Sequence, residues 1–200
     1  MTGEYCQIMA FHFTTDWFSP NLHLWQQYLH PLAGQPIHAL EIGSWEGRSA
    51  VWMLENILTH PQSSLTCVDT FQGSPEHSPE QVGSLYERFQ HNICQVKSPA
   101  RVIVHRCRAQ DFFQSNPQTT YNLIYIDGSH YSWDVLSEAI YSWARLAIGG
   151  ILIFDDYLWT ELGLPHQQPK IAIDAFLTIF QDKLQVLAKD YQVFIQKHSV

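Results

Sequence analysis

Five short apolar runs, each followed by a stretch with helical spacing, govern what this chain can fold into. IHALEI (37–42), LTCVDT (65–70), RVIVHR (101–106), YNLIYID (121–127) and GILIFDD (150–156) are rich in β-branched, aromatic and Leu residues, as strands are. Their near-continuous apolarity suits strands covered on both faces of a parallel sheet. Between them, Arg48 to Thr59 carries Val51, Leu54 and Leu58 on one stripe. Residues 79–95 start from Ser78–Pro79–Glu80–Gln81, a capping box with Pro at the first helical position. A helix from Tyr131 has Leu136, Ala139, Ile140, Trp143 and Leu146 on its expected core face, and another from Pro169 buries Ile173, Phe176, Leu177 and Phe180. Ser19–Pro20 opens a helix ahead of the first strand that ends near His30–Pro31. Alternating strands and helices imply right-handed crossovers and a doubly wound α/β sheet. LQVLAKDYQVFIQK (184–197) reads differently, as two strands turning at Lys189–Asp190, an antiparallel hairpin at one edge that brings the strands to seven. Ligands in such sheets lie beyond the carboxyl ends of the strands.

With 200 residues, 46% apolar and 15% charged, the chain has room for one well-buried domain and no disordered character. We expect residues 1–35 to form a helical extension and 36–200 the α/β domain. The longest apolar stretch, Gly149 to Phe154, is far short of the roughly 20 residues a spanning helix needs. MTGEYCQIMA lacks a basic region followed by an apolar run, so no signal peptide and a cytoplasmic protein without membrane contact are expected. Eleven basic against 19 acidic residues leave a net charge of −8. The one basic cluster, Lys97, Arg101, Arg106 and Arg108, is meagre for a nucleic-acid surface. Cys6, Cys67, Cys94 and Cys107 show no zinc-like spacing, and Cys67 and Cys107 read as reduced, apolar strand residues. The eleven histidines form no HExxH pair.

The first strand runs into Glu41–Ile42–Gly43–Ser44–Trp45–Glu46–Gly47. Gly43 and Gly47 permit a tight turn and a close backbone approach to a ligand. Trp45 stands where the dinucleotide fingerprint GxGxxG needs its second glycine, which disfavours a pyrophosphate. Asp69 ends the second strand, where a carboxylate accepts from ribose hydroxyls; capping of its own loop is the alternative.

On Glu41, Gly43, Gly47 and Asp69 the chain resembles the class I S-adenosylmethionine-dependent methyltransferases, whose first motif is E-x-G-x-x-x-G and whose second strand ends in an acidic ribose ligand. The resemblance spans about residues 36–197 and implies the strand order 3-2-1-4-5-7-6. It makes Glu41, Gly43, Ser44, Gly47, Asp69 and Asp127 candidates for holding S-adenosylmethionine. Ala109–Gln110–Asp111 looks like the family segment that touches adenine, which makes Gln110 a candidate contact; a helix cap by Asp111 is the alternative.

The fourth strand ends in Ile126–Asp127–Gly128–Ser129–His130 and the fifth in Phe154–Asp155–Asp156–Tyr157. Converging carboxylates repel unless a cation neutralises them, and an all-oxygen set favours Mg²⁺, Mn²⁺ or Ca²⁺. Consecutive Asp residues on a regular strand face opposite ways, so both reach one ion only if the strand stops there. YIDGSHY followed by GGILIFDDY resembles the group related to macrocin O-methyltransferase and cephalosporin hydroxylase, and more distantly catechol O-methyltransferase. That resemblance implies Asp127, Asp155 and Asp156 as metal ligands, with Asp156 where the catechol enzymes carry Asn. His130 stands where those enzymes have a lysine base, and an imidazole, with an ordinary pKa of about 6.5, suits proton removal at neutral pH; orienting an Asp is its other possible role. Tyr131 and Tyr157 line the site or belong to the core.

The expected activity is methyl transfer from S-adenosylmethionine to a hydroxyl of a small molecule, metal-assisted, with His130 and Asp127 at the reacting centre. A non-catalytic S-adenosylmethionine-binding protein and a metal-dependent hydroxylase or glycosyltransferase are the alternatives. FQGSPEHSPE (71–80) and Leu158 to Gln168, with Trp159 and His166, are candidate substrate loops. Trp17, Phe18 and Trp25 are expected to cover the pocket or to form a homodimer contact.

Overall fold

Alternate residues of each central strand feed two different cores. Ala39, Leu123, Ile151 and Ile153 face one layer while Leu40, Ile124, Leu152 and Phe154 face the other, as the period of two in a strand requires. The computed structural model describes residues 10–74, 77–115, 119–161 and 163–200. Cys6 and all but the last residue of MTGEYCQIMA lie outside them, as do Pro75 and Glu76 of the first candidate loop and Leu162 of the second.

The strands are β1 (His38–Ile42), β2 (Ser64–Val68), β3 (Arg101–His105), β4 (Tyr121–Ile126), β5 (Leu146–Phe154), β6 (Leu184–Lys189) and β7 (Val193–Lys197). They form one seven-stranded sheet in the order 3-2-1-4-5-7-6. β1 to β5 pair in parallel, and β7 runs antiparallel to both β5 and β6. Both the doubly wound class and the terminal hairpin expected from the sequence are present. Helices α1 (Leu22–Leu29), α2 (Arg48–Asn56) and α4 (Leu85–Gln95) supply Trp25, Met53 and Phe89 to one core; α5 (Ala109–Ser115), α6 (Ser132–Arg145) and α7 (Pro169–Ile179) supply Phe112, Ala139 and Phe176 to the other. No helix of the described residues is long and apolar enough to cross a membrane. Cys67, Cys94 and Cys107 are free thiols; Cys67 is buried in β2, but Cys107 lies past the end of β3.

Two helices depart from expectation. The segment 79–95 is broken into α3 (Pro79–Val82) and α4, because Gly83 leaves the helical region and Ser84 takes φ +56°. The expected capping box is formed at Ser78 and Gln81. The carbonyls freed by the break, Gln81 O and Gly83 O, accept from the Arg88 guanidinium. In α6 the buried face holds Val135, Glu138, Ala139, Ser142 and Trp143, whereas Ile140 is 42% exposed. Two polar residues on the inner face hide its direction from an apolar count.

The segment before β1 packs into the first of these cores. Fully buried Trp25 meets Tyr125 edge-to-face at 4.9 Å and Trp52 at 5.5 Å, and its indole N–H donates to Gln192 Oε1 at 2.8 Å. Phe18, also buried, lies edge-on to it at 4.8 Å. Thr14 binds the Glu46 carboxylate through N–H (2.7 Å) and hydroxyl (2.6 Å). Trp25 is therefore core, not an outward surface. Trp25→Ala is expected to cost about 3–5 kcal/mol in chemical denaturation, while Trp25→Phe loses less and leaves Gln192 Oε1 without its donor. A loss below about 1 kcal/mol for the alanine variant would contradict this packing.

Candidate active site

Strands β1, β2, β4 and β5 each carry the ladder one residue beyond their ends, and those next residues meet. Gly43 N–H donates to Val68 O (2.9 Å), Asp69 N–H to His105 O (3.1 Å), Asp127 N–H to Ile42 O (2.8 Å) and Asp155 N–H to Ile126 O (2.9 Å). Gly43 has φ +81°, and a Cβ on it would lie 1.8 Å from the Asp127 carbonyl oxygen. Only glycine lets the turn after β1 lie against the end of β4. Trp45 takes φ +48° and Gly47 φ +80°, which completes the turn into α2.

Two carboxylates hold that turn. Glu41, fully buried, accepts from Ser44 Oγ and Ser49 Oγ, both at 2.6 Å. Burial raises its pKa to about 7 against these hydrogen bonds. Asp69 Oδ2 accepts from the N–H groups of Ser44 and Trp45, each at 2.8 Å, and Oδ1 from Phe71 N–H at 2.7 Å. Burial raises its pKa too, opposed by those amides. Asp69 thus caps the glycine turn as well as bordering the cleft. Glu46, which sequence reasoning passed over, is buried between Thr14 and Arg88 Nε (2.6 Å). Burial raises its pKa, but the hydrogen bonds from Thr14 and Arg88 outweigh that and hold it below the ordinary value.

At the other end, Tyr125 projects between two acids. Its hydroxyl lies 2.9 Å from Asp127 Oδ2 and closer still to Asp155 Oδ2. Asp155 Oδ2 also accepts from Gln192 Nε2 (2.8 Å) and Oδ1 from Asp156 N–H (2.8 Å). Asp156 has φ +59°, which turns its carboxylate away from the strand direction: Oδ2 lies 3.0 Å from His130 Nε2 and Oδ1 accepts from Tyr191 OH at 3.0 Å. Burial, then the charges of Asp155 and Asp156, push the Asp127 carboxyl well above its ordinary pKa. Burial and Asp156 raise that of Asp155.

The trio that comes together therefore differs from the expected one. Donor atoms of Asp127, His130 and Asp156 all lie within 4.8 Å of one another, a spacing one metal ion can bridge. Asp155 stands outside this group, its oxygens turned to Tyr125, Gln192 and the Asp156 amide. The condition on consecutive Asp residues is met by the left-handed Asp156, but it separates the pair instead of joining it. Tyr125 and Gln192 were not singled out from the sequence; Tyr125 could have been, because it lies two residues before Asp127 on the same strand face.

Gly43, Asp69, Tyr125, Asp127, His130 and Asp156 border one cleft of about 1210 Å³. Trp17, Trp45 and His77 line it in mutual ring contact, Trp45 stacked on His77 with centroids 4.3 Å apart and Trp17 tilted against both and 54% exposed. Trp159 packs on His130 at 4.5 Å. Gln110 lines the cleft with Nε2 3.5 Å from Asp134 Oδ1; Asp111 lies in the first turn of α5. Tyr131 borders the cleft, whereas Tyr157 is buried and binds Asp174 at 2.9 Å. His166 contributes a backbone carbonyl to Ser132 Oγ. Of the basic cluster only Arg108 reaches this cleft.

Glu41 sets a pH dependence whose sign follows from its raised pKa. The folded state keeps the proton to about pH 7, the unfolded chain loses it near the ordinary value of 4.5, so the folded state binds more protons between those values. Its contribution is fully present below the lower pKa and is lost as pH rises through the upper one, by at most about 3 kcal/mol. Thermal melts of Glu41→Gln are expected to fall less than wild type between pH 5 and 8; parallel profiles would contradict the shift.

A family model described as a methyltransferase domain matches residues 40–157. A search by sequence among curated proteins finds no match. Among solved structures the chain is similar to the O-methyltransferase NovP, at 19% identity and a TM-score of 0.67 over 90% of this chain and 80% of that one. It is also similar to the O-methyltransferase TomG from Streptomyces achromogenes, involved in tomaymycin synthesis and solved in complex with SAM, at 13% identity and a TM-score of 0.58 over 88% and 80%. An rRNA methylase from Streptococcus thermophilus is similar at 10% identity and a TM-score of 0.58 over 94% and 100%. At such identities the likeness speaks for the fold. The family match, running from within β1 to just past the end of β5, covers more than half of the chain and places the protein among the methyltransferase-domain proteins, as a class I, S-adenosylmethionine-dependent member.

Proposed function

We propose that the chain is an O-methyltransferase acting on a hydroxyl of a small molecule with the help of a divalent cation. The observation that carries this reading is the meeting of Asp127, His130 and Asp156 at the mouth of β4 and β5, in the same cleft as the Gly43 turn. The names of NovP and TomG, both O-methyltransferases, support oxygen as the acceptor.

In this reading the Gly43–Gly47 turn, Ser44, Asp69, Asp127 and Gln110 receive S-adenosylmethionine. Glu41 acts from below by holding Ser44 and Ser49. Of the three clustered groups, the two carboxylates, Asp127 and Asp156, suit Mg²⁺ and the imidazole suits the proton. A divalent cation held by Asp127 and Asp156 would lower the pKa of an acceptor hydroxyl. His130, fixed by Asp156 and the Trp159 ring, takes the hydroxyl proton, and Asp156 stabilises the imidazolium. The acceptor oxygen then attacks the sulfonium methyl in line, with S-adenosylhomocysteine leaving. Most of the rate gain comes from holding donor and acceptor in this geometry. Ahead of the methyltransferase domain of residues 36–200, the segment that carries Trp17 serves as a cover of the cleft.

Methyl transfer from S-adenosylmethionine to a panel of polyhydroxylated acceptors tests the reading. EDTA is expected to abolish product and excess Mg²⁺ to restore it; Asp127→Ala and His130→Ala each lower kcat/KM by about 10²–10⁴. Transfer unaffected by both chelation and Asp127→Ala would remove the cation from the scheme. Transfer only to nitrogen acceptors would remove the hydroxyl.

A further inference from the structure

Glu138 is the polar group of the cleft wall that nothing described so far employs. It projects from α6 beneath Gly128 and is 4% exposed. A Cβ on Gly128 would lie 3.3 Å from each of its carboxyl oxygens. Oε2 is sealed from solvent and has no hydrogen-bond partner among the described residues, yet the side chain borders the cleft. A buried acid left in this state destabilises a fold, and an apolar residue of its size would be better tolerated. The missing partner is one a ligand can supply.

Its surroundings narrow the ligand. Ile42, Val68 and Ala109 border the same cleft with apolar side chains. Gln110 Nε2 is only loosely held by Asp134 Oδ1 at 3.5 Å, and the other Asp134 oxygen is taken by Ser129 Oγ at 2.8 Å. An apolar slot with an amide and an acid at its rim suits a flat ring bearing both an N–H donor and ring-nitrogen acceptors. Within S-adenosylmethionine that is the adenine; the ammonium and sulfonium are charged and poorly matched to a sealed acid.

Resting on the proposed binding of S-adenosylmethionine in this cleft, the geometry points to Glu138 as the residue that reads the amino-bearing edge of the adenine, its carboxyl accepting from the exocyclic amine. Burial, reinforced by the charge of Asp134 and opposed by His130, raises its pKa to about 8. At neutral pH the acid thus also carries a proton to donate to the neighbouring ring nitrogen. The acid is costly to the empty protein and useful to the loaded one.

The test compares the affinities of S-adenosylhomocysteine and its analogue in which a hydrogen replaces the exocyclic amine, so that the donor to Glu138 is lost and the adjacent ring nitrogen stays an acceptor. Wild type is expected to prefer the adenosyl compound by about tenfold or more. Glu138→Gln, with the same shape and an acceptor and donor in place, keeps most of that preference. Glu138→Leu brings it within about threefold, without lowering the melting temperature of the ligand-free protein. An undiminished preference in Glu138→Leu overturns the inference, as does equal weakening of both ligands, which would put the acid at another part of the cofactor. Failure of wild type to bind S-adenosylhomocysteine at all would overturn the cofactor reading together with this one, whereas binding without discrimination removes this one alone.

Discussion

The hydroxyl of Tyr125, set between the carboxylates of Asp127 and Asp155, is the contact on which the acidic end of the cleft depends. Two carboxylates on neighbouring strands, both withdrawn from water, repel strongly in a medium of low dielectric. The phenol places a donor between them, and burial together with their charges pushes its own pKa up, so it stays protonated. Behind it stands a relay across the molecule: Trp25 N–H to Gln192 Oε1, and Gln192 Nε2 to Asp155. Elements from before β1 and from the turn into β7 therefore orient an acid at the end of β5. The side chain that leaves this arrangement for the cleft is Asp156, through its left-handed backbone.

At the opposite end the constraint is steric. Gly43 lies so close to the Asp127 carbonyl that no side chain fits, and Asp69 and Glu41 tie down the turn that follows. The two ends meet at Asp127, whose backbone abuts the glycine turn and whose side chain joins His130 and Asp156. The close approach of Gly43 to the Asp127 backbone, at the end of the β1–β4 pairing, thus fixes the distance between the glycine turn and the acidic cluster.

The sheet was legible because its strands are buried on both faces and read as unbroken apolar runs, and the hairpin because its alternation differs from theirs. The break at Gly83–Ser84 was not, since Gly within a helical pattern is often tolerated, and the compensation comes from the Arg88 side chain. Glu41, Gly43 and Asp69 could be picked out from their spacing, yet the tie between Asp69 and the amides of Ser44 and Trp45 needed the folded turn. The carboxylates at 127, 155 and 156 were equally visible, but which of them face one another depends on a positive φ at Asp156 and on the competing claim of Gln192, 37 residues away in sequence, on Asp155. Glu138 and Ser142 misdirect the apolar count for α6 for a related reason, being polar residues on an inner face.

The measurement that bears most directly on the account is a calorimetric titration of S-adenosylmethionine into the purified protein, in Mg²⁺ and again in EDTA, followed by Mg²⁺ alone into wild type and into Tyr125→Phe. The account predicts binding of S-adenosylmethionine in both buffers, and a Mg²⁺ heat that weakens or disappears when the phenol between Asp127 and Asp155 is removed. No binding of S-adenosylmethionine in either buffer would contradict it.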